Sequence, residues 1–146
     1  MENREESVLW EILYFVDSQG RCPFQIWFSK DLNRIQQIAL HQAIKTVLLE
    51  KVTYGFSTPQ IKSLGEGLYE FRLSMSQKEI ERLLLRLLDI PRVTVSKILL
   101  RVFYTLGPNK KIVVLSGYDK LAHSSKRFQQ KEINRAKMLR REWKRL

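Results

Sequence analysis

The sequence predicts a small α+β domain, and three stretches carry that prediction. Leu99 to Lys120 (LLRVFYTLGPNKKIVVLSGYDK) reads as a β-hairpin. Its arms, Leu99 to Leu106 and Ile112 to Tyr118, are rich in β-branched, aromatic and Leu residues, and Gly107-Pro108-Asn109-Lys110 between them is a concentrated turn signal. Ser76 to Asp89, and then about Ser125 to Arg145, carry apolar residues at helical spacing. With 146 residues, 44% of them apolar and only four prolines, the chain is expected to form one domain spanning 1–146 around a real core.

In chain order, Val8 to Val16 (VLWEILYFV) has the length and composition of a strand, closed by Asp17-Ser18-Gln19-Gly20. Ser29 can cap a helix and Asp31 suits its first turn; Leu32, Ile35, Ala39, Ala43 and Val47 then recur on one face, which predicts a helix to about Lys51. His41 falls opposite that stripe and reads as a solvated helix residue. Tyr54 to Thr58, followed by Pro59, reads as a loop returning the chain to the sheet.

Two glycines, Gly65 and Gly67, set up a bend before a short strand, Leu68 to Leu73, in which Glu70 and Arg72 point to the same side. Ser76-Gln77-Lys78-Glu79 is a capping box, and Ile80, Leu83, Leu84, Leu87 and Leu88 share one face of the helix it opens, before Pro91 ends it. Such a leucine stripe reads either as core or as a partner-binding face. In the hairpin, Leu100, Val102 and Tyr104 share one face, while Arg101 and Phe103 share the other. The last helix sets Phe128, Ile133, Ala136, Leu139 and Trp143 on one side and most of its Lys and Arg on the other.

The formal net charge is +11, and it is unevenly placed. Lys120 to Leu146 holds ten Lys or Arg against two acids, whereas residues 1–20 hold five acids against one Arg. A basic end of this kind implies a polyanionic partner. A single cysteine, Cys22, excludes an internal disulfide, and two isolated histidines without a second Cys offer no zinc cluster. No apolar run approaches the roughly 18 residues of a membrane span, and the opening Glu and Arg residues do not resemble a secretion signal. A soluble, cytoplasmic protein is expected.

Arg72 and Arg101 each sit in the middle of a strand. Either could be a surface arginine, ion-paired or solvated, worth at most about 1 kcal/mol. Two of them aimed at one surface instead suit a phosphate, because the guanidinium presents a two-point fork.

The order of short strand, helix, Lys62-Ser63-Leu64-Gly65-Glu66-Gly67-Leu68-Tyr69-Glu70-Phe71-Arg72, then Arg101-Val102-Phe103-Tyr104, Lys111 to Lys120 (KIVVLSGYDK) and a basic terminal helix resembles the HigB-like toxins of the RelE superfamily. The likeness spans nearly the whole chain. It implies a RelE-like α+β fold with a mainly antiparallel twisted sheet of four to five strands, a helix in the N-terminal half and a basic C-terminal helix. It also implies an endoribonuclease that cuts mRNA in the ribosomal A site, and a cognate antitoxin, usually of helix-turn-helix type. Residue by residue, the family's strand arginines match Arg72 and Arg101, its aromatic after glycine matches Tyr118, and its following lysine matches Lys120. The chain departs from the pattern in a helical insertion over about 74–97, in Leu121 where a second lysine is common, and in His123-Ser124-Ser125 before the last helix.

Metal-free RNA cleavage requires the 2′-OH to lose a proton, the phosphate charge to be stabilised and the 5′-oxygen to gain a proton. Arg72 and Arg101 suit the phosphate oxygens, and Tyr118 suits stacking or proton transfer. Lys120, His123 and Lys126 compete for proton transfer or electrostatic help; His123 has the most suitable ordinary pKa, near 6.5. Lys126, Arg127, Lys131 and Arg135 are the expected RNA-binding residues of the last helix. No metal or cofactor is expected. The rival readings are a non-catalytic basic RNA- or ribosome-binding protein and a phage or structural assembly subunit using the leucine helix as its contact face.

Overall fold

The computed structural model describes residues 10–55, 58–90 and 92–146. Five strands form one sheet in the order β1-β5-β4-β3-β2: β1 (Glu11–Tyr14), β2 (Ile61–Gly65), β3 (Leu68–Ser76), β4 (Lys97–Gly107) and β5 (Lys111–Asp119). Only β1 against β5 is parallel; the other three pairings are antiparallel. The expected α+β class with a mainly antiparallel sheet is therefore what the chain adopts. The helices are α1 (Pro23–Asp31), α2 (Arg34–Ala43), α3 (Leu49–Tyr54), α4 (Gln77–Leu88) and α5 (Lys126–Lys144).

The hairpin expected at 99–120 is β4 and β5, and Asn109 and Lys110 both take positive φ, 61° and 57°, in the loop between them. Val8 and Leu9, read as part of the first strand, lie outside the described residues, as does Pro91. Ile61–Gly65, read as the approach to a bend, is itself a strand paired with β3, and β3 runs three residues past Leu73 to Ser76.

The first helical region differs from the sequence reading. Ser29 does not cap a helix: it lies inside α1, where its hydroxyl donates to the Gln25 carbonyl at 2.8 Å. Pro23 begins that helix, at a position where the missing N–H costs nothing. The chain then turns extended at Leu32, and Asn33 starts α2 with a capping box: its side chain accepts from the Gln36 N–H at 2.8 Å, and the Gln36 side chain accepts from the Asn33 N–H at 2.9 Å. A π-helical turn, Ile44–Leu48, joins α2 to α3 and carries the helix past Lys51 to Tyr54.

Two apolar layers flank the sheet. On one face α1, α2, the π turn and α4 bury Leu40, Ile44, Leu48, Ile80 and Leu84 against Phe71, Leu100, Val102, Tyr104, Ile112 and Val114. Each fully buried aliphatic side chain of this kind contributes about 1.5–3 kcal/mol. On the other face α5 lays Ala136, Phe128, Ile133, Leu139 and Trp143 against Leu68, Phe103, Val113, Leu115 and Tyr118. The capping box at Ser76 and Glu79 forms as read, but only Ile80, Leu83 and Leu84 of the leucine stripe are buried; Leu87 and Leu88 are exposed. Among the described residues no helix is long and apolar enough to cross a membrane.

Candidate active site

Strand register brings the sequence-predicted residues together. In β3–β4 Arg72 stands opposite Arg101, and in β4–β5 Arg101 stands opposite Tyr118, so the three form one row across adjacent strands. The row lies on the α5 face, because Phe103 and Leu68, which share its strands and its side, belong to the layer under α5.

Tyr118 reaches that face through an irregularity. Phe103 pairs with Ser116 and Tyr104 with Val114, so Leu115 is an extra residue on β5. Strict alternation from Val113 and Leu115 would turn residue 117 toward α5 and residue 118 away from it. The bulge reverses this: Ser116 and Tyr118 face α5, and Gly117 faces α1. Gly117 has no room for a side chain, since a Cβ there would lie 2.4 Å from Cζ3 of Trp27 and 2.8 Å from the Arg101 carbonyl oxygen.

Beside the row, two residues back along β3 and opposite Phe103, is a carboxylate that the sequence showed only as a neighbour of Arg72. Glu70 is 0% exposed; Arg72 Nε donates to its Oε1 at 2.9 Å, and Arg101 Nε stands 4.0 Å from the same oxygen. Two guanidiniums thus share one carboxylate, leaving the cluster a formal charge of +1. Arg101 is 8% exposed, and burial pulls its guanidinium below its ordinary value while Glu70 opposes the shift. It sits on a central strand, which removes the reading of a solvated arginine. The Arg72 side chain is 33% exposed and forms the open end of the cluster.

The Tyr118 ring is buried, stacked on Phe103 at 6.0 Å and tilted against Phe128 at 5.6 Å. Burial, then Glu70, holds its phenol above the ordinary tyrosine value. Its hydroxyl, Glu70 Oε2, Arg101 Nε and Ser116 Oγ are all buried without a hydrogen-bond partner among the described residues. These four polar atoms lie in one layer beside the row.

His123 is exposed and lies flat on Phe128 with ring centroids 4.0 Å apart, which fixes the loop after β5 beside Tyr118. A cavity of about 190 Å³ opens there, lined by Trp27, Gly117, Tyr118, His123, Phe128 and Glu132 among others. Asp119 organises the same loop: it accepts from the backbone N–H of Leu121 at 3.0 Å and from Gln36 Nε2 at 3.0 Å, tying α2 to the end of β5. Lys120 is half-buried and its N–H donates to the Leu99 carbonyl, two residues beyond the row.

Ser125 caps α5 by accepting from the Phe128 N–H at 3.1 Å. Lys126, Arg127, Lys131 and Arg135 are exposed on that helix; Lys131 also lies 5.9 Å from the Phe128 ring centre, and Arg135 pairs at 3.8 Å with the buried Glu132. Arg140 instead turns inward and donates to the Thr105 hydroxyl at 3.1 Å. Glu70, Glu132, Trp27 and Asp119 were not singled out from sequence; the alternation Glu70-x-Arg72 is the one local signal among them. No protein-family model and no curated protein matches the chain.

Proposed function

We propose that this chain is a HigB-like toxin of the RelE superfamily, a cytoplasmic endoribonuclease that cuts mRNA on the ribosome and is held in check by a cognate helix-turn-helix antitoxin. The observation that carries the reading is the row Arg72, Arg101 and Tyr118, aligned across three strands beside a basic helix. Arg72, at the open end, grips the scissile phosphate with the guanidinium nitrogens that Glu70 does not engage. Arg101 supplies fixed positive charge from beneath, where low dielectric strengthens it. The 2′-oxygen attacks phosphorus as its proton leaves, and the departing 5′-oxygen takes up a proton; the candidates for these transfers are Tyr118 in the row, Lys120 two residues further on and just past the end of β5, His123 stacked on Phe128 and Lys126 at the start of α5. Lys126, Arg127, Lys131 and Arg135 extend the positive surface along α5.

Induced expression in bacteria tests this directly. Growth should stop, and transcript ends should accumulate inside translated reading frames but not when translation is blocked. Rapid cutting of naked RNA at comparable concentrations would contradict ribosome dependence.

One observation favours a second reading, a non-catalytic RNA- or ribosome-binding protein: Arg101 and the Tyr118 hydroxyl are both buried, which leaves Arg72 as the member of the row most open to a ligand. Ribosome binding without new transcript ends would select that reading, because binding needs charge and stacking but no positioned acid or base.

A further inference from the structure

An apolar groove of about 590 Å³ runs between α2 and the chain that follows α4, formed by Ile35 and Ile38, Leu84 and Leu88, and Ile90 and Val93. Leu85, Leu87, Leu88 and Ile90 beside it are all at least 39% exposed. Three exposed leucines at the end of α4, with Ile90 just past its cap, exceed what packing that helix onto the sheet requires, since Ile80, Leu83 and Leu84 already do so. Among the described residues, the charged side chains of the groove wall are Arg34 and Arg92, and no carboxylate lines it. Neither arginine, nor Arg86 on the outer side of α4, makes an ion pair among the described residues.

We propose that this groove receives an acidic amphipathic helix from a partner protein. Its apolar side chains seat on Ile38, Leu88 and Ile90, and its carboxylates meet Arg34 and Arg92. Ile35 and Ile38 on α2 form one wall of the groove and the exposed Leu88 and Ile90 the other, with the buried Leu84 as its floor, an arrangement that suits the apolar face of a docked helix. Charge complementarity selects the acidic partner over a second copy, because a two-fold contact sets this patch against itself and brings the same arginines to both sides. An RNA strand is the poorer fit, since the walls are aliphatic and offer no aromatic ring for stacking. The groove belongs to the sheet face opposite α5, so an occupied groove leaves the Arg72 row open. The inference stands independently of the RNA-cleavage reading.

The test is fluorescence anisotropy on the full chain with a labelled helical peptide carrying Leu at every third or fourth position on one face and Glu on the other. Two further probes are the same composition scrambled and the same pattern with Lys in place of Glu. The patterned acidic peptide should bind, the other two at least about tenfold more weakly. Leu88→Glu and, separately, Arg92→Glu should each weaken binding about tenfold, with melting temperature unchanged because both positions are exposed. Lys131→Glu on α5 should leave it intact. Absence of binding by the patterned peptide, equal binding of the scrambled one, or undiminished binding to both groove variants overturns the proposal. Self-association of the chain that Leu88→Glu abolishes would give the groove to a second copy instead, and RNA binding lost in that variant but kept in Lys131→Glu would give it to RNA.

Discussion

Arg101 and Tyr118 face each other across β4 and β5 on the α5 side of the sheet, and they do so because Leu115 is one residue more than β4 can pair. The bulge sets the aromatic ring beside the guanidinium; without it Tyr118 would point into the opposite layer. The packing that accepts this arrangement supplies the first two predictions.

Tyr118→Phe separates chemistry from packing. The hydroxyl has no hydrogen-bond partner among the described residues, so its removal should leave the stability unchanged or raise it by up to about 1 kcal/mol, as read by thermal melting. If the phenol moves a proton, cleavage should fall by about a hundredfold or more while ribosome binding persists. A folded Tyr118→Phe protein that cleaves normally confines Tyr118 to stacking.

Gly117→Ala should destabilise the fold by about 1–3 kcal/mol, because the new methyl meets the Trp27 ring on one side and the Arg101 carbonyl on the other. Thermal melting reads the effect. A variant as stable as the parent would mean that α1 can withdraw from β5 at little cost.

Arginine chemistry at the row predicts a graded series. Arg72→Ala removes the exposed end of the cluster together with the 2.9 Å hydrogen bond to the buried Glu70 carboxylate, and should reduce cleavage about a hundredfold and lower the melting temperature as well. Arg101→Ala should reduce both, by less than the roughly 3 kcal/mol lost when a buried charge is fully stripped of its partner, since Arg72 still donates to Glu70. Arg101→Lys should cleave nearly as poorly as Arg101→Ala, for it keeps charge without the planar fork. Near-normal cleavage by a folded Arg101→Ala protein would remove this residue from the active site.

Alkaline pH should destabilise the chain from the ordinary tyrosine range upward. Burial raises the phenols of Tyr104 and Tyr118 above their usual 10.0. The folded chain therefore holds these protons more tightly than the unfolded chain. That contribution to stability is complete below pH 10 and is lost as pH rises through the raised folded values. Melting temperature followed upward from pH 10 should fall, and Tyr104→Phe should flatten the slope. An unchanged slope in that variant would assign the loss to other groups.

RNA or ribosome affinity should drop steeply between low and physiological salt, and charge reversal at Lys126 or Lys131 should reduce the salt slope by about one or two phosphate contacts. A flat dependence would make α5 an ordinary solvated face.

Sequence alone determined what depends on neighbours along the chain. The β4–β5 hairpin is written in two β-rich runs and a Pro-Asn turn, the α4 start in Ser76 and Glu79, and the α5 stripe in Phe128, Ile133, Ala136, Leu139 and Trp143, because strand alternation, capping and helical spacing are local properties. The break between α1 and α2 was also local, in Cys22-Pro23 and in Asn33 with Gln36, but the later serine offered a competing cap at Ser29. Tertiary structure decided the rest. Glu70 differs from a surface glutamate only because β4 lies beside it and carries Arg101 opposite Arg72. Leu87 and Leu88 of the α4 stripe stay exposed because the packing of α4 on the sheet covers only Ile80, Leu83 and Leu84. The face on which Tyr118 stands depends on an extra residue in β5 whose presence can be defined only against its partner strand, and pairing register is a relation between distant segments that no periodicity within either one contains.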